Sequence, residues 1–213
     1  MSVPTETLAG KFIVIDGPDG AGKTTQAGLL AEHLTESGLE VQRIRDPGGT
    51  EIGDEVRAIL LDNRHHKMSV QCELMLYMAS RAQLAFETIA PALAAGKCVL
   101  GDRYVSSTIA YQGAGGADVQ AIMQAARIAV GDAMPDLTVI LDIDSKAGLA
   151  RAAREGAADR IESKHIEYHR KVREIFLAQA RDDPQHYTVI SGEGSIEEIQ
   201  QQLRDTLATW NWK

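Results

Sequence analysis

Basic residues are in short supply in this chain. Its 22 Lys and Arg residues are outnumbered by 30 Asp and Glu residues, which gives a formal net charge of −8 at pH 7. An acidic surface repels nucleic-acid phosphates and anionic lipid headgroups, so we expect neither a general nucleic-acid partner nor a membrane partner. Any anionic ligand must therefore be bound by a few local positive groups.

Cysteines and long apolar runs are also scarce. The two cysteines, Cys72 and Cys98, lie far apart in apolar stretches, so we expect two buried thiols rather than a disulfide or a metal site. No window approaches the run of about 18 apolar residues that a membrane span needs, and the N-terminal residues do not resemble a signal peptide. The sequence thus predicts a soluble protein of the reducing cytoplasm.

What the chain does contain is an alternation of short β-branched runs with longer helical patterns. Its 213 residues, 44% of them hydrophobic, can bury the core of a single domain spanning residues 1–213. Strands are predicted at residues 11–16, 39–45, 97–101, 137–143 and 186–191. Helices are predicted at residues 27–34, 73–95, 118–131 and 166–181, with Gly38 as the C-cap of the first. This alternation is typical of an α/β fold with a parallel sheet and crossover helices.

The segment GPDGAGKT, residues 17–24, matches the phosphate-binding pattern GxxxxGK[ST] through Gly17, Gly22, Lys23 and Thr24. It follows an apolar strand and precedes an amphipathic helix, as the mechanism of such a P-loop requires. The glycines let backbone N–H groups approach the phosphates, Lys23 neutralises charge between the outer phosphates, and the Thr24 hydroxyl can reach Mg²⁺. The sequence therefore predicts a nucleoside triphosphate site, but this motif does not name the reaction.

P-loop proteins include switches, motors and small-molecule kinases, and the other motifs of the chain indicate which class is present. The guanine-reading segment NKxD is absent from the sequence. Residues 45–57 form a Pro-Gly-Gly turn followed by a helix that contains Arg57. Tyr77 and Arg81 are four residues apart and share a helix face. Asp102 and Arg103 follow the third strand, where open α/β sheets place their ligand chemistry.

Polar and basic side chains continue into the second half of the chain. Three polar residues lie on a glycine-interrupted segment after the third strand: Ser107, Tyr111 and Gln112. Three arginines, Arg151, Arg154 and Arg160, surround Gly156 and form a basic patch in an acidic protein. Such a patch is suited to an anionic ligand.

Taken in order, GPDGAGKTT, RDPGGT, YMASR, DRYVSSTIAYQ and ADRIE closely resemble the bacterial thymidylate kinase family, and the resemblance covers nearly the whole chain. It implies the P-loop NTPase fold with a five-stranded parallel sheet flanked by helices and a mobile lid at approximately residues 148–162. It also implies transfer of the γ-phosphoryl group of ATP to dTMP, with Mg²⁺, by a homodimer.

The resemblance assigns roles to individual residues. The ATP-binding residues that it implies are Gly17, Pro18, Asp19, Gly20, Ala21, Gly22, Lys23, Thr24, Thr25 and Arg151. The dTMP-binding residues that it implies are Asp19, Arg57, Tyr77, Arg81, Arg103, Ser107, Tyr111 and Gln112. Among these, Arg57 and Arg103 would hold the dTMP phosphate, Tyr77 would stack on thymine, and Arg81 would hydrogen-bond the base. Tyr111 would crowd the ribose 2′ position and so favour deoxyribose.

The catalytic residues implied by the resemblance are Lys23, Asp19, Asp102, Arg103, Arg154 and Arg160, and those implied for the metal are Thr24 and Asp102. The family carries its catalytic arginine either in the P-loop or in the lid. Because Gly20 stands at the P-loop position, the lid must supply the cation. The lid pattern is displaced by one residue, so Arg151, Arg154 and Arg160 remain alternatives for the arginine that reaches the transferred phosphoryl group.

Structural roles and other activities stay open at this point. Tyr77 could pack in the core, Arg45 could cap the sheet edge, Asp102 and Arg103 could form a surface ion pair, and the lid arginines could form a charged helix face. A kinase of a deoxynucleoside or of another monophosphate is one alternative function. A nucleotide-dependent switch without useful transfer activity is another.

Overall fold

The fold is known from a computed structural model that describes residues 5–154 and 159–212. Five parallel strands form one sheet in the order β2-β3-β1-β4-β5. The strands are β1 (Phe12–Asp16), β2 (Val41–Arg45), β3 (Cys98–Asp102), β4 (Leu137–Asp142) and β5 (Tyr187–Ser191). The five-stranded parallel sheet expected from the sequence is therefore confirmed.

Helices cover both faces of this sheet. In chain order they are α1 (Thr5–Leu8), α2 (Lys23–Glu36), α3 (Glu51–Leu61), α4 (Val70–Leu84), α5 (Ala90–Ala94), α6 (Val105–Ala114), α7 (Val119–Val130), α8 (Ser145–Ala152), α9 (Ile166–Asp182) and α10 (Ile196–Thr209). A 3₁₀ turn, Asn63–His65, follows α3. None of the helices in the described part of the chain combines the length and the apolar character needed to cross a membrane.

The central strands are buried on both faces, as their uninterrupted apolar runs require. Ile13 and Ile15 of β1 face a cluster that includes Leu30 of α2 and Leu203 of α10. Phe12 and Val14 face the opposite cluster, which α4, α6 and α7 complete. Alternate side chains of β1 thus pack into two separate hydrophobic cores, one on each face of the sheet.

Side-chain caps mark where several helices begin. The hydroxyl groups of Thr50 and Ser69 accept hydrogen bonds from the first turns of α3 and α4, and Asp144 does the same for α8. Ser195 and Glu198 form a reciprocal capping box at the start of α10. At the other end of α2, Gly38 follows the cap residue Ser37 with a left-handed φ of 91°.

Two expectations need correction. The helical pattern at residues 73–95 begins earlier, at Val70, and a π-helical turn, Ala85–Ile89, separates α4 from α5, whose first turn contains Pro91. Cys72 is exposed, whereas Cys98 is buried as expected. Successive residues of a helix point in different directions, and in α4 the next residue, Glu73, is the one that faces inward.

Candidate active site

A cavity of ≈300 Å³ opens at the carboxyl ends of β1, β2 and β3. One part of its wall is the P-loop with the start of α2. Other parts come from the ends of β2 and β3 with the residues that follow them, from α3, α4, α6 and α8, and from the segment at residues 159–162. The predicted site residues that line it are Asp19, Gly20, Gly22, Lys23, Thr24, Thr25, Arg57, Tyr77, Arg81, Asp102, Arg103, Ser107, Tyr111 and Gln112. The fold thus brings residues from distant segments to one cavity.

The P-loop connects β1 to α2 and leaves the helix N-terminus available for an anion. Gly22, the N-cap of α2, has a left-handed φ of 87°, and no side chain caps the first turn. The N–H groups of this turn and the positive end of the helix dipole can therefore be directed at a phosphate. Within the loop, the buried Lys23 donates through Nζ to the carbonyl oxygen of Pro18 at 2.6 Å.

Burial is also the main influence on the charge of Lys23. Loss of solvent, assisted by the nearby Arg103 guanidinium, lowers the pKa of Lys23 to about 8. Asp19, Asp102 and Asp16 act in the opposite direction. A bound polyphosphate would add further negative charge and favour the protonated lysine.

Arg103 lies at the centre of the polar network beside the P-loop. Its backbone has a left-handed φ of 67°, which is unusual for a residue with a side chain. Its Nη2 contacts Asp19 Oδ1 at 2.5 Å, and its Nη1 donates to Ser107 Oγ at 3.1 Å. Its Cζ lies 5.2 Å from the ring centroid of Tyr111. Burial raises the pKa of Asp19, but Arg103 and Lys23 outweigh this effect and the net pKa is lowered.

Asp16 is a site residue that the sequence analysis missed. It is the last residue of β1, has no exposed surface, and accepts hydrogen bonds from Ser106 Oγ at 2.5 Å and Ser107 Oγ at 2.7 Å. It also lies 3.8 Å from Arg103 Nη1. The available signal was an acidic residue that ends an apolar run directly before the first glycine of the P-loop, because a charge at the end of a buried strand requires partners.

Arg57 and Arg45 add positive charge to the same cavity. Arg57 is half-buried, and its Nη1 donates to the carbonyl oxygen of Pro47 at 2.9 Å. Burial, together with the neighbouring Arg45 and Arg103, lowers the pKa of Arg57. Mutual repulsion among three arginines is relieved by a bound anion, so this part of the cavity is suited to a phosphate. Arg45, interpreted from the sequence as a possible sheet-edge cap, belongs to this group.

Arg81 lines the cavity but is mostly engaged within the protein. It is 1% exposed, and its Nε donates to Asp46 Oδ2 at 2.6 Å. Its Nη2 donates to Tyr104 O and Thr108 Oγ1, and its Nη1 contacts Met78 Sδ. Four of the five N–H groups of a guanidinium are thereby used. Any contact of Arg81 with a ligand is limited to the remaining N–H of Nη1.

Tyr77 and Gln112 form part of the wall formed by α4 and α6. Burial raises the pKa of Tyr77 well above its ordinary value, so its hydroxyl stays neutral. Gln112 is 1% exposed and donates through Nε2 to Glu73 Oε1 at 2.7 Å. Glu73, four residues before Tyr77, is a second residue that the sequence analysis did not single out.

Thr24 and Asp102 meet across the start of α2 and the end of β3. Thr24 Oγ1 donates to Asp102 Oδ2 at 2.6 Å. A hydroxyl and a carboxylate are hard oxygen donors of the kind that Mg²⁺ prefers. The described residues contain no group of three or more His, Cys, Asp or Glu side chains that could hold a metal. The pair therefore fits a Mg²⁺ ion that takes its other ligands from substrate phosphates and water.

The three lid arginines have different surroundings. Arg160 is 7% exposed and is bound to Glu73 Oε2 at 2.5 Å and to the carbonyl oxygen of Leu60 at 2.8 Å. Arg151 donates through Nη1 to the carbonyl oxygen of Gly192 at 2.9 Å. The Arg154 side chain is exposed and forms no ion pair with any residue in the described ranges. Gly156, around which the sequence placed these arginines, lies outside the described residues.

Comparison with known proteins identifies the family of this chain. A family model described as thymidylate kinase matches residues 15–203 of the chain. The chain belongs to the thymidylate kinase family. It is 43% identical to the thymidylate kinase of Pseudomonas fluorescens, covering 94% of this chain and 95% of that one. It is also 43% identical to the thymidylate kinase of Deinococcus radiodurans, covering 91% and 94%.

A solved thymidylate kinase structure has the same fold. The enzyme of Ehrlichia chaffeensis superimposes with a TM-score of 0.77 at 31% identity, and the match covers 93% of this chain and 98% of that one. Membership in the thymidylate kinase family makes this chain a kinase. The P-loop, Arg45, Arg57, Arg103 and the Tyr77–Gln112 wall line one cavity in this chain.

Proposed function

We propose that this member of the thymidylate kinase family transfers the γ-phosphoryl group of ATP to dTMP, giving ADP and dTDP for dTTP synthesis. The observation that carries this assignment is the shared cavity, in which the P-loop side chains and the arginine group lie together with Tyr77 and Gln112. A triphosphate on the P-loop and a nucleoside monophosphate on the arginines would meet there. Phosphoryl transfer depends mainly on such positioning and on charge neutralisation.

On the donor side, the N–H groups of the P-loop and the start of α2 hold the ATP phosphates, together with Lys23. Arg151 contributes from α8, since its guanidinium reaches Gly192 in the loop after β5. Thr24 and Asp102 would hold Mg²⁺, which when bound neutralises charge on the phosphates. Asp102 would orient the Thr24 hydroxyl for this ion through the hydrogen bond that joins the two side chains.

On the acceptor side, Arg57 and Arg103 hold the dTMP phosphate, while Tyr77 stacks on the base. Ser107 and Gln112 contact polar edges of the nucleoside, and Arg81 directs its remaining N–H towards the base. The phosphate dianion is already nucleophilic, so no strong general base is required. Arg103 orients the attacking oxygen of the dTMP phosphate towards the γ-phosphorus of ATP. Asp19 and Ser107 hold Arg103 in place.

Tyr111 discriminates against ribose by occupying the space beside the 2′ position. It is 6% exposed, and its ring is packed against Arg103 and, at 6.1 Å between centroids, against Phe176. A ring held on two sides cannot easily withdraw from a 2′-hydroxyl. Ribonucleotide acceptors are therefore disfavoured sterically.

Arg154 is the lid arginine that stabilises the transferred phosphoryl group. Arg151 and Arg160 are both bound to protein atoms, whereas Arg154 is exposed next to the end of α8. Gly20 cannot be replaced by the P-loop arginine found in part of the family, because a Cβ atom there would overlap the backbone of Gly148. The cation must accordingly come from the lid.

The enzyme acts as a homodimer in the cytoplasm. In support of a dimer, several large apolar side chains are exposed on neighbouring helices and on the π-helical turn. They include Met75 on α4, Phe86 on the π-helical turn, and Ile128 on α7. Self-association would remove them from water. Both cysteines are unpaired, which fits a reducing compartment. Size-exclusion chromatography with light scattering measures the molar mass of the protein. A monomeric mass would contradict the dimer.

Acceptor specificity is the deciding experiment. Initial rates with ATP are measured for dTMP, dUMP, dCMP, dGMP and thymidine, with Lys23→Ala as the inactive control. The expected result is the highest kcat/KM for dTMP and little turnover of the uncharged thymidine. A clear preference for another acceptor would overturn the assignment, and slow ATP hydrolysis without dTDP would favour a nucleotide-dependent switch.

A further inference from the structure

Glu73 holds two elements of the site with one buried carboxylate. It lies on α4 and is 3% exposed. Its Oε1 accepts a hydrogen bond from Gln112 Nε2 of α6 at 2.7 Å, and its Oε2 lies 2.5 Å from Arg160 Nη1. Gln112 and Arg160 are themselves buried. The three side chains therefore form a buried polar unit, named here the Glu73 cluster, in which one carboxylate binds both Gln112 and Arg160.

The Arg160 side of the cluster fastens residues 160–164, which include the end of the predicted lid. Arg160 Nε donates to the carbonyl oxygen of Leu60, and its backbone N–H contacts the carbonyl oxygen of Leu61 at 3.4 Å. Lys164 adds a second positive group 4.0 Å from Glu73 Oε1. Residues 160–164 are thereby docked on the end of α3 and on α4. This segment also supplies Ile161 and Glu162 to the cavity wall.

The Gln112 side of the cluster fixes the direction of an amide. A carboxylate only accepts hydrogen bonds, so Gln112 must direct its NH₂ group, and not its carbonyl, at Glu73. The amide oxygen then points away from the carboxylate, and one N–H of Nε2 remains beside it. Since Gln112 lines the cavity, it offers a ligand one acceptor next to one donor in a set order.

Pyrimidine bases differ in the order of hydrogen-bond donors and acceptors on their Watson–Crick edge. Thymine and uracil present an N3–H donor flanked by carbonyl oxygens, whereas cytosine presents an N3 acceptor beside an amino donor. An amide with a fixed orientation complements one arrangement and leaves unpaired groups against the other. Unpaired buried polar groups are the strongest source of discrimination available to a site of this kind.

We propose that Glu73 is a positioning residue that fixes the Gln112 amide for an imide base and couples this orientation to the docking of Arg160. Base selection and the placement of residues 160–164 then depend on the same carboxylate. This inference rests on the proposed function, in which Gln112 contacts the base.

The test begins with the isosteric variant Glu73→Gln, in which residue 73 can donate as well as accept, so the Gln112 amide is released. The ratio of kcat/KM for dTMP to that for dCMP is expected to fall by about tenfold. The KM for ATP, which a local change of this kind should not move, is measured in parallel. Glu87 is an exposed glutamate on the π-helical turn. Glu87→Gln is therefore the matched control and is expected to keep the wild-type ratio.

Glu73→Asp retains a carboxylate and is expected to restore most of the selectivity, which separates loss of the carboxylate from general damage. An unchanged dTMP-to-dCMP ratio in Glu73→Gln, or equal losses in the Gln and Asp variants, would overturn the orienting role. If Glu73→Gln does not fold, Gln112→Leu is compared with Glu73→Asp, and equal selectivity in those two variants would overturn it as well.

Coupling to Arg160 is measured with a double-mutant cycle of Glu73→Gln and Arg160→Gln, by titrating dTMP into the protein without ATP. Because both changes disrupt one cluster, the combined loss of dTMP affinity is expected to be smaller than the product of the single losses. Strictly multiplicative losses would overturn the coupling. A wild-type enzyme without dTMP preference would instead refute the proposed function, so the two failures are distinguishable.

Discussion

Gly20 of the P-loop and Gly148 of α8 are in backbone contact. A Cβ atom built on Gly20 would overlap the carbonyl oxygen of Gly148, and one built on Gly148 would overlap the carbonyl oxygen of Asp19. Gly20 also has a left-handed φ of 72°. Two glycines thus allow the helix at the start of the lid to pack directly on the phosphate-binding loop.

Substitution of Gly20 by alanine is expected to displace α8 from the P-loop and to lower both stability and turnover. The matched control is Gly10→Ala, since Gly10 has a similar φ of 73° but no atom within contact distance of a Cβ. The control should show only the strain of a left-handed alanine, about 1–2 kcal/mol, which corresponds to a fall in Tm of about 2–8 °C. Thermal unfolding and kcat are measured. Equal effects of the two substitutions would show that the Gly148 contact is unimportant.

The three lid arginines are expected to respond differently to alanine substitution. Arg154→Ala should lower kcat by about 10²- to 10³-fold, because it removes a charge from the transition state. Arg151→Ala should mainly raise the KM for ATP, and Arg160→Ala should mainly weaken dTMP binding. Separate kcat and KM values for both substrates check this prediction. Three small and equal effects would mean that none of them serves the transferred phosphoryl group.

Lys23 is expected to produce an alkaline limb in the pH profile. Its pKa is lowered to about 8, and only the charged form binds polyphosphate well, so kcat/KM for ATP should fall as the pH rises above about 8. Lys23→Arg stays charged throughout this range and should lack the limb. ATP binding is measured as well, in case turnover of the variant is low. A wild-type profile that stays flat up to about pH 10 would contradict the prediction.

The same lysine links stability to pH in the opposite direction. Its pKa is lower in the folded protein than the ordinary value of 10.5, so the unfolded chain binds more protons between about pH 8 and that value. Stability contributed by this group therefore rises with pH across the window, as the cost of burying the charge disappears. Urea unfolding of the wild type and of Lys23→Met should diverge there. Parallel curves would show that Lys23 is not the responsible group.

The Thr24–Asp102 pair is expected to set the requirement for magnesium. Thr24→Val removes one oxygen donor and should raise the Mg²⁺ concentration needed for half-maximal rate about tenfold or more. Thr35→Val changes the same residue type on the same helix, far from the cavity lining, and should leave that concentration unchanged. Titration of MgCl₂ at fixed ATP decides the matter. An unchanged requirement in Thr24→Val would remove this hydroxyl from the metal site.

The buried Arg81–Asp46 pair is expected to be a structural element as well as part of the cavity wall. Arg81→Met leaves the Asp46 carboxylate buried without its cation and should destabilise the protein by about 3–5 kcal/mol. Arg170→Met breaks an exposed pair with Glu167 and should cost at most about 1 kcal/mol. Chemical denaturation measures both. Recovery of stability in Asp46→Asn combined with Arg81→Met would confirm that the unpaired carboxylate causes the loss.

Much of the fold could be predicted from local patterns. β1 is buried throughout, and β4 is buried up to its last residue, Asp142, because a central parallel strand is covered on both faces. The alternation of strands with helices implied that arrangement. The P-loop could be predicted equally well, since its glycines, lysine and threonine all lie within residues 17–24. The residues expected around it, from Arg57 to Gln112, do line one cavity, although their individual roles remain predictions.

The sequence by itself therefore determined the sheet, the P-loop and the family to which the chain belongs, because these depend on neighbouring residues in a fixed order. Only the tertiary structure decided which side chains bind the buried carboxylates. Glu73 meets Gln112 from 39 residues away, Asp16 meets Ser107 from 91 residues away, and Cys72 is exposed because the neighbouring glutamate faces inward. Such contacts follow from the packing of helices against one another, which no local spacing encodes.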